Sequence, residues 1–192
     1  MPKVIYLTGA PAAGKSSTTK ELSERIPDLV VWEYGARLTE HCANKFVRPV
    51  TQDELRAKSA AIVTPDDVRA VDTALLSFVR DHRTTQNLLI DTHAVTKENY
   101  GFRITPFSVE QFAELAPDEI WVFYVGPDET RERIEKDAGG RPVVSEEDAR
   151  MHTMLQASVA ATYSMSIGCP AYLFDTSAPR EQLIALLVDR LK

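Results

Sequence analysis

An α/β fold of the P-loop NTPase type, with a parallel sheet covered by helices on both faces, is what this sequence predicts. Three observations carry that prediction. Gly9-Ala10-Pro11-Ala12-Ala13-Gly14-Lys15-Ser16 fits G-x-x-x-x-G-K-[ST], a loop that wraps backbone N–H groups round phosphates. An apolar, β-branched run, Val4-Ile5-Tyr6-Leu7, precedes it, and a stretch with helical spacing, Ser17 to Ile26, follows. Further apolar runs then alternate with helical stretches to the end of the chain, the pattern of a parallel sheet with crossover helices.

Taken in order, the loop comes first. Its helix would aim unpaired N–H groups and a positive dipole end at phosphate anions. Lys15 would reach the β- and γ-phosphates of ATP, and the Ser16 hydroxyl would ligate Mg²⁺. Ser17 falls at the same helix start. Leu29-Val30-Val31-Trp32 reads as a second buried strand, ending at Glu33-Tyr34-Gly35. In open α/β sheets ligands bind at that carboxyl edge. Residues 36–46 read as a helix with Leu38, Cys42 and Phe46 on one face, and Gln52 to Ala61 as a short helical piece carrying Arg56. Both are too polar for the main core, so about 34–64 reads as an inserted acceptor-binding lobe.

Thr64-Pro65-Asp66-Asp67 is a helix start with a capping hydroxyl, an early proline and acids at the positive dipole end. Leu88-Leu89-Ile90-Asp91 is a third strand ending in a carboxylate placed to support Mg²⁺ directly or through water. Thr92 to Phe107 has no clear period and reads as a functional loop; its Lys97 and Arg103 are either acceptor-phosphate contacts or solvated charges. Ser108 to Gln111 is a capping box. Glu119 to Val125 is the fourth strand, followed by a charged helix containing Arg133. Ala138-Gly139-Gly140-Arg141-Pro142 breaks that helix, and about 138–144 reads as a short lid bringing Arg141 onto transferring phosphates, or else as an ordinary turn. Ser145 caps a long helix whose Met residues fall near core spacing and whose His152 reads as a structural histidine. Ala171 to Asp175 is the fifth strand, and Pro179 to Leu191 the last helix.

Composition narrows the function. The 192 residues suit one domain. Apolar and charged fractions of 44% and 26% are those of an ordinary globular chain. A net charge of −6 argues against a nucleic-acid-binding face. No run approaches the roughly 20 apolar residues of a membrane span. Cys42 and Cys169 lack any metal or disulfide spacing and read as two buried free thiols, as expected of a cytoplasmic protein.

With these pieces in place, the chain resembles the archaeal-type adenylate kinases, P-loop nucleoside monophosphate kinases, along nearly its whole length. The likeness lies in the phosphate loop, Glu33-Tyr34-Gly35, Asp53 and Arg56, Asp91-Thr92-His93, Lys97, Tyr100-Gly101-Phe102, Arg133, Arg141 and His152. It implies a sheet in the order 2-3-1-4-5 and the Mg²⁺-dependent reaction ATP + AMP ⇌ 2 ADP. It implies that Gly9 to Ser17 hold the donor phosphates and metal, and that Asp91 supports the metal. Glu33, Gly35, Arg56, His93, Lys97 and Arg103 would face the acceptor. Arg133 and Arg141 would neutralise the transferring group, and Thr176-Ser177-Ala178 would sit against the donor adenine. Some relatives of this type are homo-oligomers. The sequence departs from the family at Glu33, where a small polar residue is usual, at Ala36, and in a lid with Arg141 alone. A carboxylate at 33 leaves a second chemistry open, phosphorylation of a nucleoside or other small-molecule hydroxyl with Glu33 as base. A third is a nucleotide-dependent switch or ATPase acting through a protein partner.

Overall fold

The computed structural model describes residues 1–52, 54–55, 62–136 and 144–192. Its centre is strand β1 (Val4–Gly9), all six residues of which are buried. Alternation along β1 assigns its side chains to two cores. Val4 and Tyr6 face one cluster, with Leu75, Val79, Phe112, Leu115 and Tyr163; Ile5 and Leu7 face the other, with Leu22, Trp121, Phe174, Ile184 and Leu187. Each such side chain contributes about 1.5–3 kcal/mol on burial, so the strand carrying the loop is firmly anchored on both faces.

Around it stand α1 (Lys15–Arg25), β2 (Leu29–Glu33), α2 (Tyr34–Phe46), α3 (Pro65–His82), β3 (Asn87–Asp91), β4 (Val95–Glu98), β5 (Gly101–Ile104), α4 (Val109–Leu115), β6 (Glu119–Tyr124), α5 (Pro127–Glu135), α6 (Glu146–Ile167), β7 (Ala171–Asp175) and α7 (Arg180–Arg190). The main sheet has the order β2-β3-β1-β6-β7, and every pairing is parallel. Counting only its own strands, that is the expected order 2-3-1-4-5. Helices α1 and α7 cover the second core, and α3, α4 and α6 the first. The register places Glu33 opposite Asp91 and Asp91 opposite Leu7, so the carboxyl ends of β2, β3 and β1 lie level.

The predicted caps form. Thr64 Oγ1 accepts from Asp67 N at 3.3 Å while Asp67 Oδ2 accepts from Thr64 N at 2.9 Å. Ser108 and Gln111 make the same reciprocal pair at 3.1 and 3.2 Å. Cys42 and Cys169 are both buried and free.

Four expectations are corrected. The 92–107 segment is not a plain loop, because β4 and β5 pair as an antiparallel hairpin. Its strands of four residues carry charges, which hides their alternation. Lys97 stands opposite Phe102, with its ammonium 4.7 Å from the ring centroid. Phe46 is not an inward residue. It is 42% exposed and flanked by Lys45 and Arg48, while Cys42, Val50 and Leu55 form a small core of their own with Leu38, Ile62 and Val63. The methionines of α6 do not pack inward either. Ala149, His152, Gln156, Ala160 and Tyr163 occupy its buried face, which leaves Met151, Met154 and Met165 outside. Finally α1 begins at Lys15, two residues earlier than its apolar spacing suggests. No described helix is long and apolar enough to cross a membrane.

Candidate active site

The loop between β1 and α1 is shaped by backbone constraints that its residues meet. A side chain at Gly9 would put Cβ 2.4 Å from the Phe123 carbonyl oxygen, so β1 and β6 approach closely only because position 9 has none. Gly14 caps α1 in the left-handed region, φ 77°, where glycine carries no steric cost. Ala12 also lies there, at φ 62°. A non-glycine residue in that region stores about 1–2 kcal/mol of strain, and alternating hands of this kind build anion-binding concavities. Ala13 N donates to Ala10 O at 3.2 Å and closes the turn. The first turn of α1 contains no acid and its cap no side-chain hydrogen bond, so its positive end is not neutralised from within. Ser16 and Ser17 are exposed there, and Lys15 Nζ donates to Gly9 O at 2.8 Å.

The ends of β2 and β3 add two carboxylates. Burial raises the Asp91 carboxyl above the ordinary range; the Lys15 ammonium opposes that rise and the neighbouring Glu33 adds to it. Glu33 is exposed and lines an open groove with Ser16, Thr19 and Lys20. It stands at the cap of α2 without bonding to it, and the first turn of α2, like that of α1, holds no acid.

On the far side, Arg133 of α5 reaches across to both the loop and the turn after β7. Its Nη1 donates to Ala12 O at 3.1 Å and to Thr176 Oγ1 at 3.0 Å; Nη2 donates to Thr176 O at 2.9 Å and to Glu129 Oε1 at 2.5 Å; Nε donates to Glu129 Oε1 at 3.0 Å. Thr176 is buried and bonds Tyr124 O through its N–H, at 2.8 Å, and its hydroxyl, at 3.2 Å. Ser177 is held by Asp175 through N, at 2.9 Å, and Oγ, at 2.7 Å; Ala178 is exposed beside it.

The acceptor candidates are distributed over several elements. His93 lies near Gly35, with its Cε1 3.9 Å from where a Cβ on Gly35 would stand. Lys97 Nζ donates to Asp148 Oδ1 at 2.9 Å, and Arg103 Nε lies 3.5 Å from Glu98 Oε1. Asp53, Arg56, Arg141 and most of the 138–144 segment fall outside the described residues. The geometry therefore brings the loop, Lys15, Asp91, Glu33, Arg133 and Thr176 to one edge of the sheet. Lys97 and Arg103 are placed in ion pairs on the hairpin.

Comparison with known proteins bears on this arrangement directly. The family described as an AAA domain matches residues 8–150, a span from the strand before the loop to the start of α6. The chain belongs to that family. It is 27% identical over 149 residues to an adenylate kinase of Pyrobaculum aerophilum, covering 77% of this chain and 72% of that one. It is 29% identical over 177 residues to an adenylate kinase of Thermococcus onnurineus, covering 86% and 82%. The resemblance read from the loop, the strand-2 turn and Asp91-Thr92-His93 is borne out. Among solved structures, a sugar kinase from Janibacter sp. HTCC2649 superposes with a TM-score of 0.60, covering 100% of this chain and 96% of that one at 13% identity. At that identity the likeness is one of fold.

Within this AAA-domain chain, two site features escape sequence reading. Gln156 is buried and links Thr8 Oγ1, 2.9 Å from its Oε1, to Val95 O, 3.2 Å from its Nε2. His152 Nε2 lies 3.0 Å from the same carbonyl, and burial, together with Lys15 and Lys97, lowers its pKa despite the bond to Val95. It is a structural histidine. These two side chains tie the hairpin to the strand that carries the loop. His152 was read from the sequence as a structural histidine; the only signal for Gln156 was its place four positions on, on the same face of α6. The second feature is Glu129, one turn before Arg133, whose acidic position in a charged helix gave no hint of its partner.

Proposed function

We propose that the chain is an ATP-dependent phosphotransferase of the adenylate kinase-like type, and that its acceptor is a nucleoside monophosphate, AMP foremost: ATP + AMP ⇌ 2 ADP. The observation that carries the donor half is the glycine-bounded loop opening a helix with an uncompensated positive end, level with Lys15 and Asp91. The residues fit a triphosphate and its metal. Gly14 opens the helix in the left-handed region, Ser16 is exposed at the helix start, and Asp91 lies beside the Lys15 charge. Mg²⁺ would supply charge neutralisation for the donor phosphates there. In this chain Ser16 would hold it directly and Asp91 through water.

Phosphoryl transfer of this kind is positioning plus electrostatics. Lys15 exchanges its contact with Gly9 O for the β- and γ-phosphates. Asp91 would support the metal in its ionised form, which burial disfavours and the Lys15 charge favours. An acceptor phosphate needs no general base, since its oxygen is already anionic. The start of α2, free of acid over Tyr34-Gly35-Ala36, offers backbone N–H groups to it. Similarity to two archaeal adenylate kinases over most of the chain supports the same acceptor class. His93 stands nearby, and Arg56 and Arg141 are proposed as further cations on the acceptor and the transferring group. A small-molecule acceptor, a cytoplasmic setting and, by analogy, a homo-oligomer complete the reading.

One observation favours a second acceptor chemistry. Glu33 is in register with Asp91 and shares a groove with Ser16, where a hydroxyl acceptor would need a carboxylate to take its proton. A coupled assay over AMP, CMP, UMP, GMP and the deoxynucleoside monophosphates, beside nucleosides and sugars, separates the two. Glu33→Gln should keep most of the activity toward AMP; loss of all turnover in that variant, with ATP binding intact, would transfer the proposal to a hydroxyl acceptor.

A further inference from the structure

We infer that Arg133 acts as a clamp that sets the phosphate loop in register with the turn at 176–178, a positioning residue for the donor nucleotide and not a ligand of the transferring phosphoryl group. A guanidinium has five N–H donors in a rigid planar fork. All five are committed within the protein, to Ala12 O, Thr176 Oγ1, Thr176 O and twice to Glu129 Oε1. No donor is left over to meet a phosphate unless one of these bonds is given up.

The bonds are placed where they shape the site. Ala12 is the loop residue held at positive φ without being glycine. The peptide that follows it is pinned at both ends, its carbonyl by Arg133 and its N–H, that of Ala13, by Ala10 O. A trans peptide fixed at both ends cannot rotate, so Arg133 locks the hand of the loop that gives the anion cradle its shape. Gly14 lies directly beneath, where an added Cβ would stand 3.5 Å from Nη1. The same nitrogen holds the Thr176 hydroxyl, and Thr176 is in turn tied to the end of β6. One side chain thus joins the phosphate end of the donor site to the turn proposed for its base. Glu129 balances the Arg133 charge and presents the fork from one helical turn away.

The inference rests on the nucleotide-binding part of the proposed function only, and its test needs no acceptor. ATP and ADP affinities are measured by calorimetry for the wild type, Arg133→Lys, Thr176→Val and the double variant, with thermal melting as the folding control. Arg133→Lys preserves the charge but not the fork, so it should lose at least tenfold in affinity for both nucleotides. Thr176→Val leaves every charge in place and should weaken both by severalfold, and the two losses should combine to less than their product. ADP lacks the transferring group, which makes it decisive. Lys rescue to wild-type affinity for ADP, or wild-type binding of both nucleotides by Thr176→Val, overturns the clamp. If an acceptor is in hand, a fall in kcat for Arg133→Lys larger than its loss of ADP affinity overturns it as well, since that is the mark of a group acting in the transition state. Should no acceptor be found while the affinities behave as stated, the clamp stands and only the kinase reading fails.

Discussion

The proposed donor and acceptor sides of this sheet edge are built in opposite ways. The donor side is a single local segment, residues 9–16, whose glycines, strained alanine and helix start make a cradle, held from outside by Arg133. The proposed acceptor side draws single residues from β2, α2 and the hairpin, and Arg56 and Arg141 lie outside the described residues. Its described cations, Lys97 and Arg103, are engaged with Asp148 and Glu98. A site made by backbone geometry needs few side chains and tolerates few changes. A site made by side chains from several elements changes specificity easily, and the Glu33 carboxylate is where the two proposed acceptor chemistries part.

The largest predicted effect lies on the donor side. Lys15→Ala removes a cation aimed at the β/γ-phosphates and should lower kcat/KM by about 10²–10³-fold. Melting should scarcely change, because a half-buried loop cation contributes little packing. Wild-type turnover in that variant would break the distinction between the two sides. Gly9→Ala comes next, as a folding effect. Its Cβ would meet the Phe123 carbonyl at 2.4 Å, and separating β1 from β6 should cost about 1–3 kcal/mol by denaturant unfolding.

On the other side, Asp67 ties α2 to the start of α3. Its carboxylate receives Lys45 Nζ at 2.8 Å and the Thr64 N–H at 2.9 Å and lies 3.0 Å from His41 Nε2. Burial alone would raise its pKa, but these bonds hold it well below the ordinary carboxylate range. Asp67→Asn should therefore lose about 1–2 kcal/mol at neutral pH, less than a fully buried pair because Lys45 is part-exposed. A group with a depressed folded pKa stabilises above its unfolded value, near 3.9, and that contribution disappears as pH falls below it. The difference between wild type and variant should thus vanish in acid. The smallest effect sharpens the comparison at the shared boundary. Asp91 is raised by burial and by Glu33, so the acid limb of kcat/KM should lie above the ordinary aspartate value, and Glu33→Gln should move it to lower pH. An unmoved limb would uncouple the two carboxylates.

Legibility in the sequence followed the same division. The loop and the caps at Thr64, Ser108 and Ser145 were readable because each rests on contacts within a few residues, whereas the strand order, whose pairings join distant residues, was legible only through the family resemblance. The hairpin was not readable, since two four-residue strands bearing Lys97, Glu98 and Arg103 show no clean alternation and owe their place to α6. Phe46 and the α6 methionines were misplaced because periodicity counts apolar residues without knowing which face meets the sheet. Arg133 was visible as a cation in a charged helix, but Ala12 and Thr176 lie 121 and 43 residues away from it in the chain. No local pattern encodes such a pairing.

Transfer of a phosphoryl group from ATP to a nucleotide at this edge is the proposed activity. Incubating the protein with Mg²⁺, γ-labelled ATP and AMP tests it in one step. Label should appear in ADP, at a rate that depends on AMP and is lost in Lys15→Ala. Label appearing only as inorganic phosphate, at a rate indifferent to AMP and to every other nucleoside monophosphate, would contradict it.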